Sequence, residues 1–384
     1  MRDCGVFRII RRDGGTAARC GVQETGHGPV LTPAFLPSAS HGTVKACTPA
    51  DVEAAGVNIL VSNAYYLHLR PGEETVRRMG GLHRFMCWAH PLLTDSGGYQ
   101  VFSLGDKRKV TEEGVWFRSA VDGSEQFFSP EVSIGVQEAL GADIIMAFDE
   151  CTPYPCPRDY AEKSLELTAR WAERSKGAHK NGSQLLFGIV QGSVYPDLRV
   201  RSSRRITDIG FDGYAIGGLS VGESEEETRA ALEATIALLP KDRPRYLMGV
   251  GTPEDILSYV PYGIDLFDCV APTKNARHGT LYTSAGTLRI KNARYAEEKS
   301  PPDPLCDCYT CRNFSLAYLR YLYLAGEYEG ARLNTIHNLR FYSRLMEQIR
   351  QAISEGRLRE KAAELLAQLS GGSLADAGAA AERL

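Results

Sequence analysis

Eight short apolar runs follow one another along the chain, and segments with helix-forming chemistry separate them. The runs are "PAFLPSA" near 33, "VNILVSN" near 57, "PLLTDSGG" near 91, "DIIMAFDE" near 143, "LLFGIVQG" near 185, "GYAIGGLS" near 213, "RYLMGVG" near 245 and "IDLFDCV" near 264. Because these runs are continuously apolar rather than alternating, they predict parallel strands that are covered on both faces. Eight strand-helix alternations predict an α/β fold of the (β/α)8 TIM-barrel type, with a doubly wound open sheet as the main competitor.

The segments between the runs carry the chemistry of helix starts. Three of them place a hydroxyl cap three residues before an acidic residue: Thr48 with Asp51, Ser224 with Glu227, and Thr252 with Asp255. In such a capping box, each side chain satisfies a backbone N–H group of the other residue. We therefore interpret these acidic residues as helix caps rather than catalytic groups.

Polar residues and a glycine close five of the apolar runs, namely Asp95, Asp149, Gln191, Gly218 and Asp268. In a barrel, the working residues collect at the carboxyl ends of several different strands. Five such endings favour the barrel over the open sheet and predict a site at its mouth. The run that ends in Asp268 also contains Asp265, which should point to the opposite face and be structural. A basic loop, "TKNARHG", is expected directly after that run.

The remaining segments suggest how the chain divides. Residues 1–279 are expected to form the barrel, with an antiparallel hairpin insertion near 101–129 that contains the turn signal Asp122-Gly123. Residues 280–350 are expected to form a zinc-binding subdomain inserted near the C-terminus. Residues 351–384 are expected to form a C-terminal helix and a frayed tail, since "LSGGSLADAGAAAERL" is small and polar.

The metal prediction comes from the segment "CDCYTC" and a distant histidine. Cys306, Cys308 and Cys311 lie within six residues, and His337 follows on a helical pattern. Three thiolates and one imidazole complete a tetrahedral shell with no open position, which is typical of structural zinc. We expect one structural Zn²⁺ per subunit and no catalytic role for it.

Composition narrows the class of protein. The 384 residues are 43% hydrophobic and 24% charged, with a net charge of −3 and ten cysteines at irregular spacings. No apolar run approaches the roughly 18 residues of a membrane span. We expect an intracellular, cytoplasmic protein with no membrane partner, in which the cysteines are thiols or metal ligands rather than disulfides. The net charge excludes a globally basic nucleic-acid binder, although a local basic patch stays possible.

The strand-end residues suggest a chemistry. Several carboxylates at one mouth repel one another, so they are costly unless they have a function. Paired carboxylates suit glycosyl transfer or hydrolysis, in which one attacks the sugar carbon and the other handles protons. Asp149, Gln191 and the Gly218 amide together complement the N1–H, 2-amino and O6 edge of guanine.

From about residue 5 to about 355, the chain resembles the bacterial tRNA-guanine transglycosylases of the queuine tRNA-ribosyltransferase family. The motifs "DSGGYQVFSL", "RKVTEEGVWFRS", "MAFDECTPYP", "YAIGGLSVGE", "LMGVGTPEDI", "LFDCVAPTKNARHG" and "CDCYTC" occur in order. The resemblance implies a TIM barrel with a zinc subdomain, a homodimer and no organic cofactor. It implies exchange of the wobble guanine of GUN-anticodon tRNAs for 7-aminomethyl-7-deazaguanine, the prequeuosine base, in queuosine biosynthesis.

The resemblance also implies roles for individual residues. Asp268 would be the nucleophile on C1′ of the ribose, forming a covalent RNA intermediate, and Asp95 would be the general acid and base. The remaining implied contacts are to guanine and 7-deazaguanine bases: Asp149, Gln191 and Gly218 at the purine edge, Tyr99 and Met248 above and below the ring, Leu219 through its carbonyl, and Cys151 in the pocket. Cys151 and Val221 match bacterial members of the family.

Lys274 and Arg277 would contact the anticodon loop. Arginine is usual in the family at position 274, and lysine keeps the charge but loses the planar fork. Two other functions stay open at this point. A non-catalytic RNA-binding zinc protein would lack the carboxylates, and Asp95 and Asp268 are both present. A carbohydrate hydrolase would not need the "KNAR" loop, and the chain has only three tryptophans for stacking on sugars.

Overall fold

The computed structural model describes residues 7–103 and 108–370. Within those ranges the strands are β1 (Phe7–Arg12), β2 (Arg19–Thr25), β3 (Gly28–Thr32), β4 (Ala34–Pro37), β5 (Leu60–Asn63), β6 (Leu92–Asp95), β7 (Arg108–Val110), β8 (Val115–Arg118), β9 (Glu125–Phe128), β10 (Ile144–Met146), β11 (Leu185–Val190), β12 (Gly213–Ile216), β13 (Arg245–Leu247), β14 (Leu266–Cys269), β15 (Thr280–Thr283) and β16 (Gly286–Arg289).

The α-helices in the same ranges are α1 (Pro49–Ala54), α2 (Ala64–Leu69), α3 (Glu73–Arg78), α4 (Gly81–Met86), α5 (Gly98–Phe102), α6 (Pro130–Leu140), α7 (Arg158–Ala178), α8 (Pro196–Ile209), α9 (Glu225–Ile236), α10 (Pro253–Tyr259), α11 (Ala271–Arg277), α12 (Tyr309–Asn313), α13 (Leu316–Ala325), α14 (Tyr328–Glu355) and α15 (Leu358–Leu369). No helix among them is both long enough and apolar enough to span a membrane.

All eight predicted runs are strands of one parallel sheet, in the order β4-β14-β13-β12-β11-β10-β6-β5. A parallel bridge between Ser38 and Val61 joins the two edges and closes the ring. The open-sheet alternative is therefore wrong and the barrel prediction is confirmed. Side chains such as Leu36, Phe187 and Leu266 fill the barrel interior, and a second apolar layer lies between the strands and the outer helices.

The three predicted capping boxes are all present. At the starts of α1, α9 and α10, the cap hydroxyl accepts from the backbone N–H group of the acidic residue, and the acidic side chain accepts from the backbone N–H group of the cap. Each box satisfies backbone N–H groups that have no partner inside the helix. These acidic residues lie at helix starts and not among the cavity-lining residues of the barrel mouth.

An antiparallel sheet of β1, β2 and β3 precedes the barrel and was not predicted. It covers the end of the barrel where the strands begin. The Arg19 side chain of β2 forms a buried ion pair with Asp265, at 2.6 Å between Nη2 and Oδ2. Asp265 also accepts a hydrogen bond from the Arg245 N–H group. The prediction that Asp265 is structural is therefore confirmed.

Two predicted segments differ in detail from the structure. The insertion near 101–129 contains a three-stranded antiparallel sheet, β7-β8-β9, rather than a two-stranded hairpin. The turn at Asp122-Gly123 does connect β8 to β9. The predicted basic loop after β14 is instead helix α11, because Pro272 occupies its first turn and the segment packs against α14.

The C-terminal part begins with the hairpin β15-β16 and continues through α12 and α13 into the long helix α14. The boundary placed between residues 350 and 351 falls inside this helix, which runs from 328 to 355. Helix α14 carries His337 and also packs against β2 and β4 of the barrel end. One helix therefore serves both the cysteine-rich segment and the barrel. The tail predicted to fray after residue 370 lies outside the described residues.

Candidate active site

One cavity opens at the mouth of the barrel and has a volume of about 290 Å³. Nine of the predicted site residues line it: Asp95, Tyr99, Asp149, Cys151, Gln191, Gly218, Leu219, Met248 and Asp268. Val221 is also part of the wall. The strand ends that were far apart in the sequence are thus brought together around one space that could hold a ring-sized ligand.

Asp95 lies at the end of β6 and accepts a hydrogen bond from Asn63 of β5, at 3.1 Å from Nδ2 to Oδ2. Burial and, to a smaller extent, the nearby carboxylates of Asp149 and Asp268 together raise the pKa of Asp95 to about 7. A carboxyl group with this pKa exchanges its proton readily at neutral pH. It can therefore act as an acid in one step and as a base in the next.

Asp149 is held by two side chains that fix both of its oxygens. Gln191 donates from Nε2 to Oδ2 at 2.7 Å, and Ser96 donates from Oγ to Oδ1 at 3.3 Å. Burial nevertheless raises the pKa of Asp149 to about 6, and these hydrogen bonds only partly oppose it. The carboxylate is thus oriented at the wall of the cavity, where it can accept N–H donors.

Asp268 lies at the end of β14 and is held by Tyr246 and by a backbone amide. The Tyr246 hydroxyl donates to Oδ1 at 2.6 Å, and the Gly249 N–H group donates to the same oxygen at 2.8 Å. Burial raises the pKa of Asp268, and the two donors work against that shift. Because both donors from the described residues bind Oδ1, the geometry leaves Oδ2 available to a ligand.

Two glycines leave room for the Gln191 side chain. A Cβ atom at Gly218 would lie 2.3 Å from Gln191 Oε1, and one at Gly217 would lie 2.8 Å from Nε2. Gly218 also has a φ of +68°, which favours glycine. Gln191 Oε1 is buried and has no hydrogen-bond partner among the described residues. An unsatisfied buried acceptor is costly, so this wall of the cavity is suited to a polar ligand.

The loop after β12 fixes the direction of the Leu219 carbonyl. The N–H groups of Ser220 and Val221 both donate to the carboxylate of Glu223. In a trans peptide the N–H and C=O groups point in opposite directions. The Leu219 carbonyl, which shares its peptide with the Ser220 N–H, therefore points away from Glu223.

Tyr99 of α5 and Met248, which directly follows β13, both line the cavity. The Tyr99 side chain is half exposed, whereas Met248 is partly buried. Lys274 and Arg277 lie outside the cavity on α11, the helix that follows Asp268. Lys274 is exposed, and Arg277 is partly buried with its guanidinium donating to the Thr273 carbonyl at 2.8 Å. Burial lowers the pKa of Arg277.

The predicted metal ligands form one buried cluster apart from the cavity, and their donor atoms all lie within 4.8 Å of one another. His337 Nδ1 is 3.2 Å from the Sγ atom of Cys311 and 3.7 Å from that of Cys308. His337 Nε2 is 2.8 Å from the Tyr282 carbonyl, so it carries the proton and leaves Nδ1 free to bind a metal. Cys306 completes a Cys₃His set, which fits a tetrahedral ion such as zinc.

Sequence reasoning missed Asn63, Tyr246 and Arg199. Asn63 closes the apolar run of β5, so the strand-end rule that found Asp95 could have found it. Tyr246 lies inside an apolar run, and nothing in the local pattern shows that its hydroxyl reaches Asp268, 22 residues later. Arg199 lies within the helical pattern of α8, where an arginine is normally a surface charge.

Comparison with known proteins agrees with this geometry. The family model described as queuine tRNA-ribosyltransferase matches residues 13–371. The chain is 56% identical over 364 residues to a queuine tRNA-ribosyltransferase of Thioalkalivibrio sulfidiphilus (strain HL-EbGR7), covering 95% of this chain and 98% of the relative. It is 55% identical over 352 residues to one of Pelotomaculum thermopropionicum, covering 92% and 95%. The chain therefore belongs to the queuine tRNA-ribosyltransferase family, a family of tRNA-guanine transglycosylase enzymes.

Proposed function

We propose that the protein replaces guanine at the wobble position of GUN-anticodon tRNAs with 7-aminomethyl-7-deazaguanine, as a step of queuosine biosynthesis. The observation that carries the proposal is that one cavity brings together three carboxylates, the buried Asp149 and the partly buried Asp95 and Asp268, with donors and acceptors that complement the edge of guanine. Asp149 accepts from N1–H and the 2-amino group, and Gln191 and the Gly218 N–H group donate to O6. Tyr99 and Met248 contact the two faces of the ring.

In the first half of the reaction, Asp268 Oδ2 attacks C1′ of the ribose and the bond from C1′ to the guanine nitrogen breaks. The electron pair of that bond leaves with guanine, which takes a proton from Asp95. The pKa of about 7 supports this role, because Asp95 is partly protonated at neutral pH. Tyr246 and Gly249 hold Asp268 as a carboxylate that is oriented for attack.

In the second half, guanine leaves and the deazaguanine base enters the same cavity. Asp95, now a carboxylate, removes the ring N–H proton of the new base. That nitrogen attacks C1′, and the bond to Asp268 breaks. The Leu219 carbonyl accepts a hydrogen bond from the aminomethyl group, and Cys151 and Val221 leave room for it. Because guanine must leave the cavity before the deazaguanine base can enter it, we expect ping-pong kinetics.

The test uses labelled guanine and tRNA transcripts with a GUN anticodon. We expect incorporation into these transcripts and none into a matched transcript with adenine at the wobble position. Addition of unlabelled 7-aminomethyl-7-deazaguanine should then release the label. Folded protein that incorporates no guanine would contradict the proposal, and equal incorporation into both transcripts would contradict the anticodon specificity.

The RNA-binding part of the proposal places Lys274 and Arg277 on the anticodon loop. Helix α11 begins two residues after β14, so both cations follow the nucleophile closely in the chain. Lysine supplies a point charge that attracts phosphate, and single-stranded loops are the parts of RNA that proteins read most readily. Lys274→Gln should raise the KM for tRNA and leave the KM for the free base unchanged. A change in both constants would place Lys274 in the base site instead.

We also propose that the Cys₃His cluster holds one structural zinc ion. All four ligand residues are buried, and a closed shell leaves no position for a reacting water. Cys47 packs against this cluster without belonging to it, which makes it a matched control. Cys311→Ser should remove zinc and lower the thermal midpoint, whereas Cys47→Ser should retain one zinc per chain. Full zinc content in Cys311→Ser would contradict the ligand set.

Homodimerisation is the remaining part of the proposal. Apolar and aromatic side chains are exposed together on α13 and at the start of α14: Tyr318, Tyr321, Leu324 and Tyr328, the last of them 92% exposed. Such clusters mark protein interaction surfaces. Tyr321→Lys should convert a dimer to a monomer in light scattering, while Trp116→Lys, an exposed aromatic of β8, should not. A wild-type monomer would contradict this part.

A further inference from the structure

Arg199 of α8 has no solvent exposure, although it carries a charge. Within the described part of the chain it forms no ion pair with a carboxylate. Burial lowers the pKa of Arg199 to about 10, so the guanidinium still remains protonated at neutral pH. Burial of an unpaired charge is expensive, and its partners must compensate for the lost water.

Those partners are four backbone carbonyls, one at the end of β11 and three in the loops that follow β11 and β12. Nε donates to Ser193 at 2.6 Å, and Nη1 donates to Val190 at 3.2 Å and to Gly217 at 2.8 Å. Nη2 donates to Gly218 at 3.3 Å. One loop follows β11 and carries Gln191, and the other follows β12 and carries Gly218. The guanidinium thus joins the two loops that form one wall of the cavity.

The hydrogen bond from Arg199 to the Gly217 carbonyl also fixes the direction of the Gly218 N–H group. The Gly217 carbonyl and the Gly218 N–H group belong to the same trans peptide and point in opposite directions. A carbonyl held on the guanidinium therefore turns the Gly218 N–H group away from Arg199. Because both glycines line the cavity and Arg199 does not, this N–H group faces the cavity side of the loop.

The backbone around this wall needs such support. Gly192, Ser193, Gly218 and Ser220 all have positive φ angles, of +134°, +52°, +68° and +60°. Positive φ is unfavourable for serine, so surrounding contacts must hold these turns in place. The planar guanidinium with its five N–H groups can bind several carbonyls at fixed angles, which a lysine ammonium cannot do.

We propose that Arg199 is a positioning residue that sets the Gly218 amide for recognition of the 6-oxo group of the base. It does not touch the base itself. The inference rests on the proposed function, because it assigns the donor that meets the guanine carbonyl. Its removal should weaken selection for an oxygen at C6 more than it weakens overall binding.

The experiment compares guanine with 6-thioguanine, which keeps N1–H and the 2-amino group but carries a poor acceptor at C6. Calorimetry gives the dissociation constant of each base for wild type, Arg199→Lys and Arg199→Met. The ratio of the two constants does not depend on the active fraction, so a purely structural loss does not change it. One neutral hydrogen bond gives roughly a fewfold preference for guanine. We therefore expect the dissociation constant of 6-thioguanine divided by that of guanine to fall about fivefold in Arg199→Met and less in Arg199→Lys.

Arg205 lies on the same helix at the surface, where it pairs with Glu166, and Arg205→Met is the matched control. Its ratio should equal that of wild type. An unchanged ratio in folded Arg199→Lys and Arg199→Met would overturn the inference. So would a failure of both to fold, since Arg199 would then be purely structural. A wild type that binds no guanine would instead overturn the proposed function itself.

Discussion

Asp143 and Asp149 stand at opposite ends of the same apolar run, six residues apart, and their surroundings differ sharply. Asp143 precedes β10 at the closed end of the barrel, and Asp149 follows β10 at the mouth. Both side chains are buried. The pKa of Asp143 is nevertheless lowered, whereas that of Asp149 is raised to about 6.

The difference comes from the partners. Burial would raise the pKa of Asp143, but donors on both oxygens outweigh it. His83 Nε2 lies 3.1 Å from Oδ2, which also accepts from the Leu92 N–H group at 2.9 Å. His27 reaches Oδ1 with its backbone N–H group at 3.0 Å and with Nδ1 at 2.8 Å. The carboxylate thereby ties the β2-β3 turn, α4 and β6 to the start of β10.

At the mouth, by contrast, carboxylates lie close to one another. Asp149 and Asp268 both raise the pKa of Asp95. The carboxylate at the closed end, Asp143, therefore stabilises the fold through its hydrogen bonds. The carboxylates at the mouth destabilise the fold, because they are removed from water and lie close to one another. A barrel can separate these two demands because its active-site loops and its stabilising contacts lie at opposite ends of the strands.

Among substitutions at the two ends of the barrel, we expect the largest effect on catalysis, from a change at Asp268. Asp268→Asn keeps the shape of the side chain but removes the nucleophile, so exchange should fall about 1,000-fold or more. Denaturing gels should show a protein-RNA adduct in wild type and none in this variant. Asp265→Asn, three residues earlier on the same strand segment, should still form the adduct in its folded fraction. An adduct that survives Asp268→Asn would assign the nucleophile elsewhere.

The next largest effect is on stability at Asp143. Asp143→Asn places an amide NH₂ group against N–H donors and should lower the free energy of unfolding by about 2 kcal/mol at pH 8. The lowered pKa means that the wild-type contribution is complete above the unfolded-state pKa of about 4. It is lost as the pH falls further, through the folded-state value. Urea unfolding at pH 8 measures the loss. An unchanged midpoint would show that the Asp143 carboxylate does not stabilise the fold.

An effect of similar size concerns the pH dependence of wild-type stability. Asp95 and Asp149 have folded-state pKa values of about 7 and about 6, well above the unfolded-state value. Between these limits the unfolded chain has lost protons that the folded chain retains, so the free energy of unfolding should fall as the pH rises from about 6 to about 8. We expect a fall of about 2 kcal/mol, measured by urea unfolding. An Asp95→Asn/Asp149→Asn variant should show a flatter profile, and an identical profile would contradict the raised values.

The smallest effect is expected for the histidines at the closed end. The rings of His27 and His83 stack at 3.4 Å between centroids, and both contact Asp143. His83→Phe removes one hydrogen bond from a buried carboxylate and should lower stability by about 1 kcal/mol. His27→Phe should cost less, because that side chain is 42% exposed. Equal losses of stability in His83→Phe and His27→Phe would show that burial of the side chain does not determine how much each histidine contributes.

Much of this arrangement can be predicted from the sequence, because local patterns determine it. Continuous apolar runs identify the barrel strands, and the residues that close them identify Asp95, Asp149, Gln191, Gly218 and Asp268. The capping boxes are equally local. The cysteine spacing with His337 predicted the metal cluster, since few other arrangements use three close thiols and a helical imidazole.

The parts that were missed depend on contacts between distant segments. Arg199 looks like a surface charge on its helix until β11 and β12 bring four carbonyls to it. Strand β1, "FRIIRR", is too charged to stand out as a strand, and it forms because β2 pairs with it. The segment after Asp268 resembles a loop in its charge pattern, but packing against α14 makes it a helix.

The carboxylates at the barrel mouth lower the stability of the protein and are needed for its function. The free energy of unfolding of Asp149→Asn at pH 8 tests this central claim most directly. Removal of a carboxylate whose pKa is raised should stabilise the protein by about 2 kcal/mol while abolishing guanine binding. The gain should vanish near about pH 3, where the wild-type group is protonated in both the folded and the unfolded state. Asp143→Asn, measured beside it, should change stability in the opposite direction. A loss of stability in Asp149→Asn at pH 8 as large as that in Asp143→Asn would contradict the claim.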